Sequence, residues 1–110
     1  MKMIKMELRK IKIITLCGSS RFEDDFHRIN SELTLEGNIV LSLGVWRHQY
    51  KRELFKEETD LLDLLHYMRI DMSDAIYVVN KDGYMGESTK KEIMYAKMKG
   101  KEVYYMEEIV

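Results

Sequence analysis

Apolar positions recur along the chain in two alternating rhythms. "KIKIITLC", starting near Lys10 and ended by Gly18, is a β-branched apolar run that predicts a strand buried on both faces. From Ser20 the rhythm changes: Phe22, Phe26, Ile29 and Leu33 step by four, three and four, one face of a helix closed by Gly37. "NIVLSL" predicts a short second strand ending at Gly44, and the aperiodic "VWRHQYKRE" predicts a loop entering a helix. Leu61, Leu65, Met68 and Met72 again step by four, three and four, so a second helix is expected from near Glu53 or Glu57 to about Asp71. "DAIYVVN" predicts a third strand, "DGYMGEST" a glycine-rich turn, and Thr89, Ile93, Ala96 and Gly100 share a face of a third helix. "KEVYYME" completes the pattern as a fourth strand.

Strand and helix therefore alternate, with continuous apolar strands and no hairpin signals. That order predicts a parallel sheet with right-handed crossovers and helices on both faces. The expected fold is α/β, a small flavodoxin/Rossmann-like three-layer sandwich with four or five parallel strands. Residues 1–110 are enough for one domain with a modest core. Proline is absent, so the turns rely on Gly, Asn, Asp and Ser.

Charge narrows the partners. The 18 basic and 19 acidic residues nearly cancel to a net charge of -1, with no excess to hold polymeric nucleic acid or an anionic membrane. A small ligand fits better. Cys17, the only cysteine, excludes an internal disulfide and suits a reducing cytoplasm. Arg9, Lys10 and Lys12 interrupt the N-terminal apolar run, which lacks the h-region of a secreted precursor. A soluble cytoplasmic protein is expected, and no apolar stretch is long enough to span a bilayer.

In an open parallel sheet ligands collect beyond the carboxyl ends of the strands. Two loops qualify: "CGSSRF" after the first strand and "KDGYMGEST" after the third. They become neighbours if the strand order is 2-1-3-4. In the first loop Gly18 would allow backbone approach, Ser19 and Ser20 offer hydroxyls, and Arg21 offers a bidentate guanidinium for phosphate. Ser20 and Glu23 also have capping-box spacing, which explains Ser20 without a ligand. In the second loop Gly83 and Gly86 permit tight turns before Glu87, Ser88 and Thr89. Thr89 and Glu92 are likewise spaced as a capping box, so local reasoning leaves Glu92 open between a helix cap and an ionised nucleophile.

"G-E-S-T-K-K-E-I-M-Y-A" together with the upstream "C-G-S-S-R" resembles the nucleoside 2-deoxyribosyltransferase superfamily, including its 2'-deoxynucleoside 5'-phosphate N-hydrolases. The similarity runs from Lys12 to about Met106. It implies that Glu92 attacks the anomeric carbon of the sugar, that water or a second base resolves the glycosyl-enzyme, and that Ser19 and Arg21 contact phosphate. Ser73 and Asp74 match the family's "AD" pair, and Gly86, Ser88 and Thr89 would line the sugar site. The family generally carries an aspartate eight residues before that aspartate; here the position is His66. A histidine there could serve as general acid near neutral pH, or be a polar residue on an apolar helix. Lys90, Lys91 and Met94 also depart from the family pattern.

The resemblance implies N-glycosidic cleavage or transfer on a nucleoside or nucleoside 5'-monophosphate, without cofactor or metal, in a homodimer or larger homo-oligomer. Met94 and Met98 could form a subunit contact. The "C-G-S-S" turn is also similar to cytokinin-activating phosphoribohydrolases, although their double-glycine turn and its preceding arginine are missing. A non-catalytic nucleotide sensor or an interaction subunit are the other classes. Asp60 and Asp63 could replace the missing aspartate or simply favour the helix dipole. Asp71 is expected away from the cleft, and Asp74 is expected to order the turn into the third strand. Trp46, His48 and Tyr50 could stack a base or form an interface. Cys17 reads as a buried strand residue with no histidine beside it in sequence, and no Cys or His pair has zinc-ligand spacing.

Overall fold

The computed structural model describes residues 11–109. Lys10, where the first strand was expected to begin, lies outside them, as do Arg9 and the rest of the N-terminal run. The elements follow the order β1 (Ile13–Gly18), α1 (Glu23–Leu35), β2 (Ile39–Leu41), α2 (Lys56–Met72), β3 (Ala75–Val79), α3 (Glu87–Met98) and β4 (Glu102–Tyr105). Single 3₁₀ turns at Ser20–Phe22 and Lys81–Gly83 bridge β1 to α1 and β3 to α3.

Among the described residues the four strands form one all-parallel sheet in the order β2-β1-β3-β4. This is a small Rossmann/flavodoxin-like α/β fold. Leu16 and Val79 turn to one face, where Phe26 and Ile29 of α1 cover them with Trp46 and Val40. Cys17, Ile76 and Val78 turn to the other, under Ile70 of α2 and Ile93 and Ala96 of α3. Each fully buried Val, Leu, Ile or Phe among them contributes about 1.5–3 kcal/mol. No helix of the described residues is long and apolar enough to cross a membrane.

Two expectations change. The second strand stops at Leu41, so Ser42 to Gly44 belong to the following loop. More consequentially, the apolar stripe that announces α2 faces outward: Leu61, Leu65, Met68 and Met72 are 52%, 37%, 50% and 64% exposed, whereas His66 and Ile70 are buried. The period is helical, but the core of this chain takes the other side of the helix.

Asp74 lies at the amino end of the sheet, opposite the two candidate loops. Its Oδ2 accepts from Ile13 N at 2.8 Å, while its own N–H donates to Ile13 O, so it clamps β3 to β1. Asp71 accepts from Tyr95 OH at 2.6 Å and ties α2 to α3.

Candidate functional site

Because the strand order reverses between the parallel neighbours β1 and β3, the loops leaving those strands stand side by side, and a cavity of about 300 Å³ opens between them. Gly18, Ser19, Ser20, Arg21, His66, Gly86, Glu87, Ser88, Thr89 and Glu92 all line it. Gly83 does not. It belongs to the 3₁₀ turn after β3, where φ is +78° and no atom lies within 4 Å of a Cβ built there, so it serves the turn.

Glu92 is not a cap. It is the sixth residue of α3, beyond the first-turn N–H groups a capping side chain reaches, and the N-cap position belongs to Gly86 without a side-chain bond. Its side chain is 13% exposed and points at the floor of the cleft, with Oε1 3.8 Å from His66 Nε2. Burial pushes its pKa up to about 7, with the Cys17 thiol pulling the other way and Asp63 reinforcing the rise. The sequence expectation of a carboxylate held ionised by the helix terminus fails here. Glu92 is too far along α3 for the dipole to offset desolvation.

His66 is also corrected. Burial, then the positive charges of Arg69 and Arg47, lower its pKa to about 4. This favours the neutral form at physiological pH and weighs against the general-acid role. Arg69 Nη1 lies 3.4 Å from Nδ1. A guanidinium only donates, so Nδ1 accepts and the proton sits on Nε2, facing Glu92 and Cys17. His66 is thus a neutral imidazole whose Nε2 contacts Cys17 Sγ at 3.5 Å and stands 3.8 Å from the carboxyl group, beyond hydrogen-bond reach.

Cys17 is fully buried, as expected, but a histidine does stand beside it: Sγ is 3.5 Å from His66 Nε2. Burial and the Glu92 charge push the thiol well above its ordinary pKa, so it is not an activated nucleophile. Cys17, His66 and Glu92 bring one donor atom each within 4.8 Å of one another, a proximity that linear spacing could not reveal.

The first loop is held by its own side chains. Ser19 Oγ accepts from the backbone N and the Nε of Arg21, at 3.2 and 3.1 Å. Arg21 lies over the Tyr84 ring, 4.4 Å from its centroid. Ser20 neither caps α1 nor pairs with Glu23: its buried hydroxyl accepts from His48 N at 3.1 Å and shares a second bond with His48 Nδ1, while Glu23 pairs with His27. Ser20 therefore anchors the loop after β2 to the cleft wall. Gly18 has φ +148°, and a Cβ there would stand 2.8 Å from Val79 O, so the neighbouring strand by itself requires glycine.

Trp46 does not offer a stacking platform; it packs edge-on against Phe26 at 5.2 Å. His48 reaches the cleft and Tyr50 stays exposed. Asp63 lines the cavity but is held by Arg47 at 2.7 Å, and Asp60 pairs with Lys56 away from it. Arg47, Arg69 and Tyr84 are lining residues that the sequence analysis missed. For Arg69 a signal existed: it lies three residues after His66, on the same helix face. Comparison with known proteins adds no assignment: no family model, no curated protein and no solved structure matches this chain.

Proposed function

We propose that the protein cleaves or transfers across the N-glycosidic bond of a nucleoside or nucleoside 5'-monophosphate, with Glu92 as nucleophile. The observation that carries this reading is a single buried carboxyl group, Glu92, lining a cleft ringed by Ser19, Ser88 and Thr89, with a neutral imidazole 3.8 Å away. In its ionised form Glu92 would add through one carboxylate oxygen to the anomeric carbon. The C–N bond breaks with its electron pair leaving on the base, which takes a proton from water. Water or a second base then displaces the glutamyl ester. A carboxylate beside the anomeric carbon also stabilises oxocarbenium-like charge in each transition state.

The exposed apolar face supports the expected homo-oligomer. Leu61, Leu64, Leu65, Met68 and Met72 on α2 and Met94 and Met98 on α3 form an unpartnered apolar surface among the described residues. A surface of this kind fits a second copy better than water. A reducing cytoplasm remains the compartment that suits Cys17.

His66 in place of a carboxylate favours a second reading, a nucleotide sensor that binds without turnover. The deciding experiment incubates the protein with deoxyribo- and ribonucleosides and their 5'-monophosphates and follows free base by chromatography. Base release abolished by Glu92→Gln supports the catalytic reading. Nucleotide binding without release by the parent, surviving in Glu92→Gln, supports the sensor and overturns it.

A further inference from the structure

Three guanidiniums line the cleft, and they are not equivalent. Arg47 is neutralised by Asp63. Arg21 is exposed at the rim and occupied: Nε donates to Ser19 Oγ, Nη2 reaches Tyr84 OH at 3.4 Å, and its plane covers the Tyr84 ring. Arg69 has no carboxylate and no aromatic partner among the described residues. Its guanidinium makes one long hydrogen bond, to His66 Nδ1, although it carries five N–H donors. The side chain is only part-exposed, and a guanidinium drawn from water without a counter-ion is costly until an anion arrives. Gly44 keeps the space beside it open, since a Cβ there would stand 3.0 Å from Arg69 Nη2.

The carboxylates of the cleft do not cancel this charge. Asp63 is taken by Arg47, and the exposed Glu87 has Lys90 at 3.7 Å. Glu92 is about half protonated near neutral pH. The field of Arg69 is felt by its neighbour: after burial, it is the largest influence holding His66 neutral. Position matters too. One imidazole separates Arg69 from Glu92, and both line the same cleft, so a ligand whose anion meets Arg69 can present another part of itself to the carboxyl group.

We infer that Arg69 is the oxyanion-selecting residue of the cleft, gripping with its guanidinium fork the phosphate of a nucleoside monophosphate whose sugar faces Glu92. The anion subsite stands on the geometry of Arg69; only the identity of the sugar ligand rests on the N-glycosidic reading. Arg21, given the phosphate by the family resemblance, is then a rim residue that orders the β1 loop.

The test titrates the protein with inorganic phosphate, and separately with acetate, while following the His66 imidazole by NMR and the affinity by calorimetry. Phosphate should shift the His66 resonance, and Arg69→Gln should weaken phosphate binding at least tenfold, more than Arg21→Gln does. Arg69→Lys, which keeps the charge but loses the fork, should fall between parent and Arg69→Gln, and it serves if the glutamine variant does not fold. In base-release assays Arg69→Gln should raise KM for monophosphates more than for nucleosides, a split that a purely structural role would not produce. Phosphate binding unchanged in Arg69→Gln, or lost instead in Arg21→Gln, overturns the inference, as does acetate binding as tightly as phosphate. Phosphate binding that depends on Arg69 in a protein that releases no base would leave the subsite standing and remove the N-glycosidic reading. Base release with an unaltered monophosphate preference in Arg69→Gln would do the reverse.

Discussion

His66 Nε2 and Glu92 Oε1 lie 3.8 Å apart with side chains 6% and 13% exposed, yet they form no ion pair at neutral pH. Burial acts on both and drives them in opposite directions, the imidazole down to about 4 and the carboxyl up to about 7. Each is disfavoured in its charged form, and the contact sets a neutral imidazole beside a carboxyl group poised between two states.

That poise fixes the shape of the pH dependence. A nucleophilic Glu92 works only when ionised, so base release should rise with pH through a midpoint of about 7 and level off above it. His66 stays neutral across the whole limb and should add no second inflection above pH 5. Initial rates from pH 5 to 9 check this; a bell-shaped profile, with the rate falling again on the alkaline side and that fall lost in His66→Ala, would restore His66 as a proton donor.

Stability should respond as well. The folded Glu92 binds its proton more tightly than the unfolded chain, so its contribution is present below about 4.5 and lost as pH rises through about 7. The folded His66 binds its proton less tightly, so stability is lost as pH falls from about 6.5 through about 4. Between pH 4.5 and 6.5 the two slopes oppose each other. Glu92→Gln removes the first alone, so its stability should climb with pH over that window, and at pH 8 it should exceed the parent by up to about 3 kcal/mol. Urea unfolding at four pH values measures it.

The outward stripe of α2 predicts concentration-dependent assembly. Sedimentation should show a dimer that dissociates on dilution, and Met68→Lys with Met98→Lys should yield a folded monomer, because both residues are at least half exposed in the single chain. A parent that is monomeric at high concentration would show that no second copy covers this face.

Ser20→Ala should loosen the wall of the cleft. It deletes the acceptor for His48 N and the partner of His48 Nδ1 in a buried position, which should cost about 1–3 kcal/mol and speed amide exchange at His48 and Gln49. Unchanged exchange would mean that Gln49 Nε2, which donates to Ser20 O at 3.1 Å, holds the loop alone.

The strand and helix order was legible because each element of a parallel sheet writes its own local period, and the two loops could be paired once the order β2-β1-β3-β4 was assumed. The orientation of α2 was not legible. Leu61, Leu65, Met68 and Met72 satisfy a helical period whether they face a core or another molecule, and the chain alone does not record which. The protonation states were equally hidden. Glu92 and Cys17 are 75 residues apart in sequence, and only the packing of α2 and α3 over β1 brings His66 and Glu92 together beside the thiol. The Ser20–Glu23 and Thr89–Glu92 spacings looked like caps, but the first straddles a 3₁₀ turn and the second lies inside α3.

The contact between Gly18 and Val79 gives one position an unusual meaning. A hydrogen at that α-carbon lets β1 and β3 approach at the cleft mouth, so it sets the spacing between the loop bearing Ser19 and Arg21 and the helix bearing Glu92. In a saturation mutagenesis screen for activity, Gly18 would score like an active-site residue on account of the strand it packs against. Its intolerance would measure the width of the gap across which the chemistry must reach.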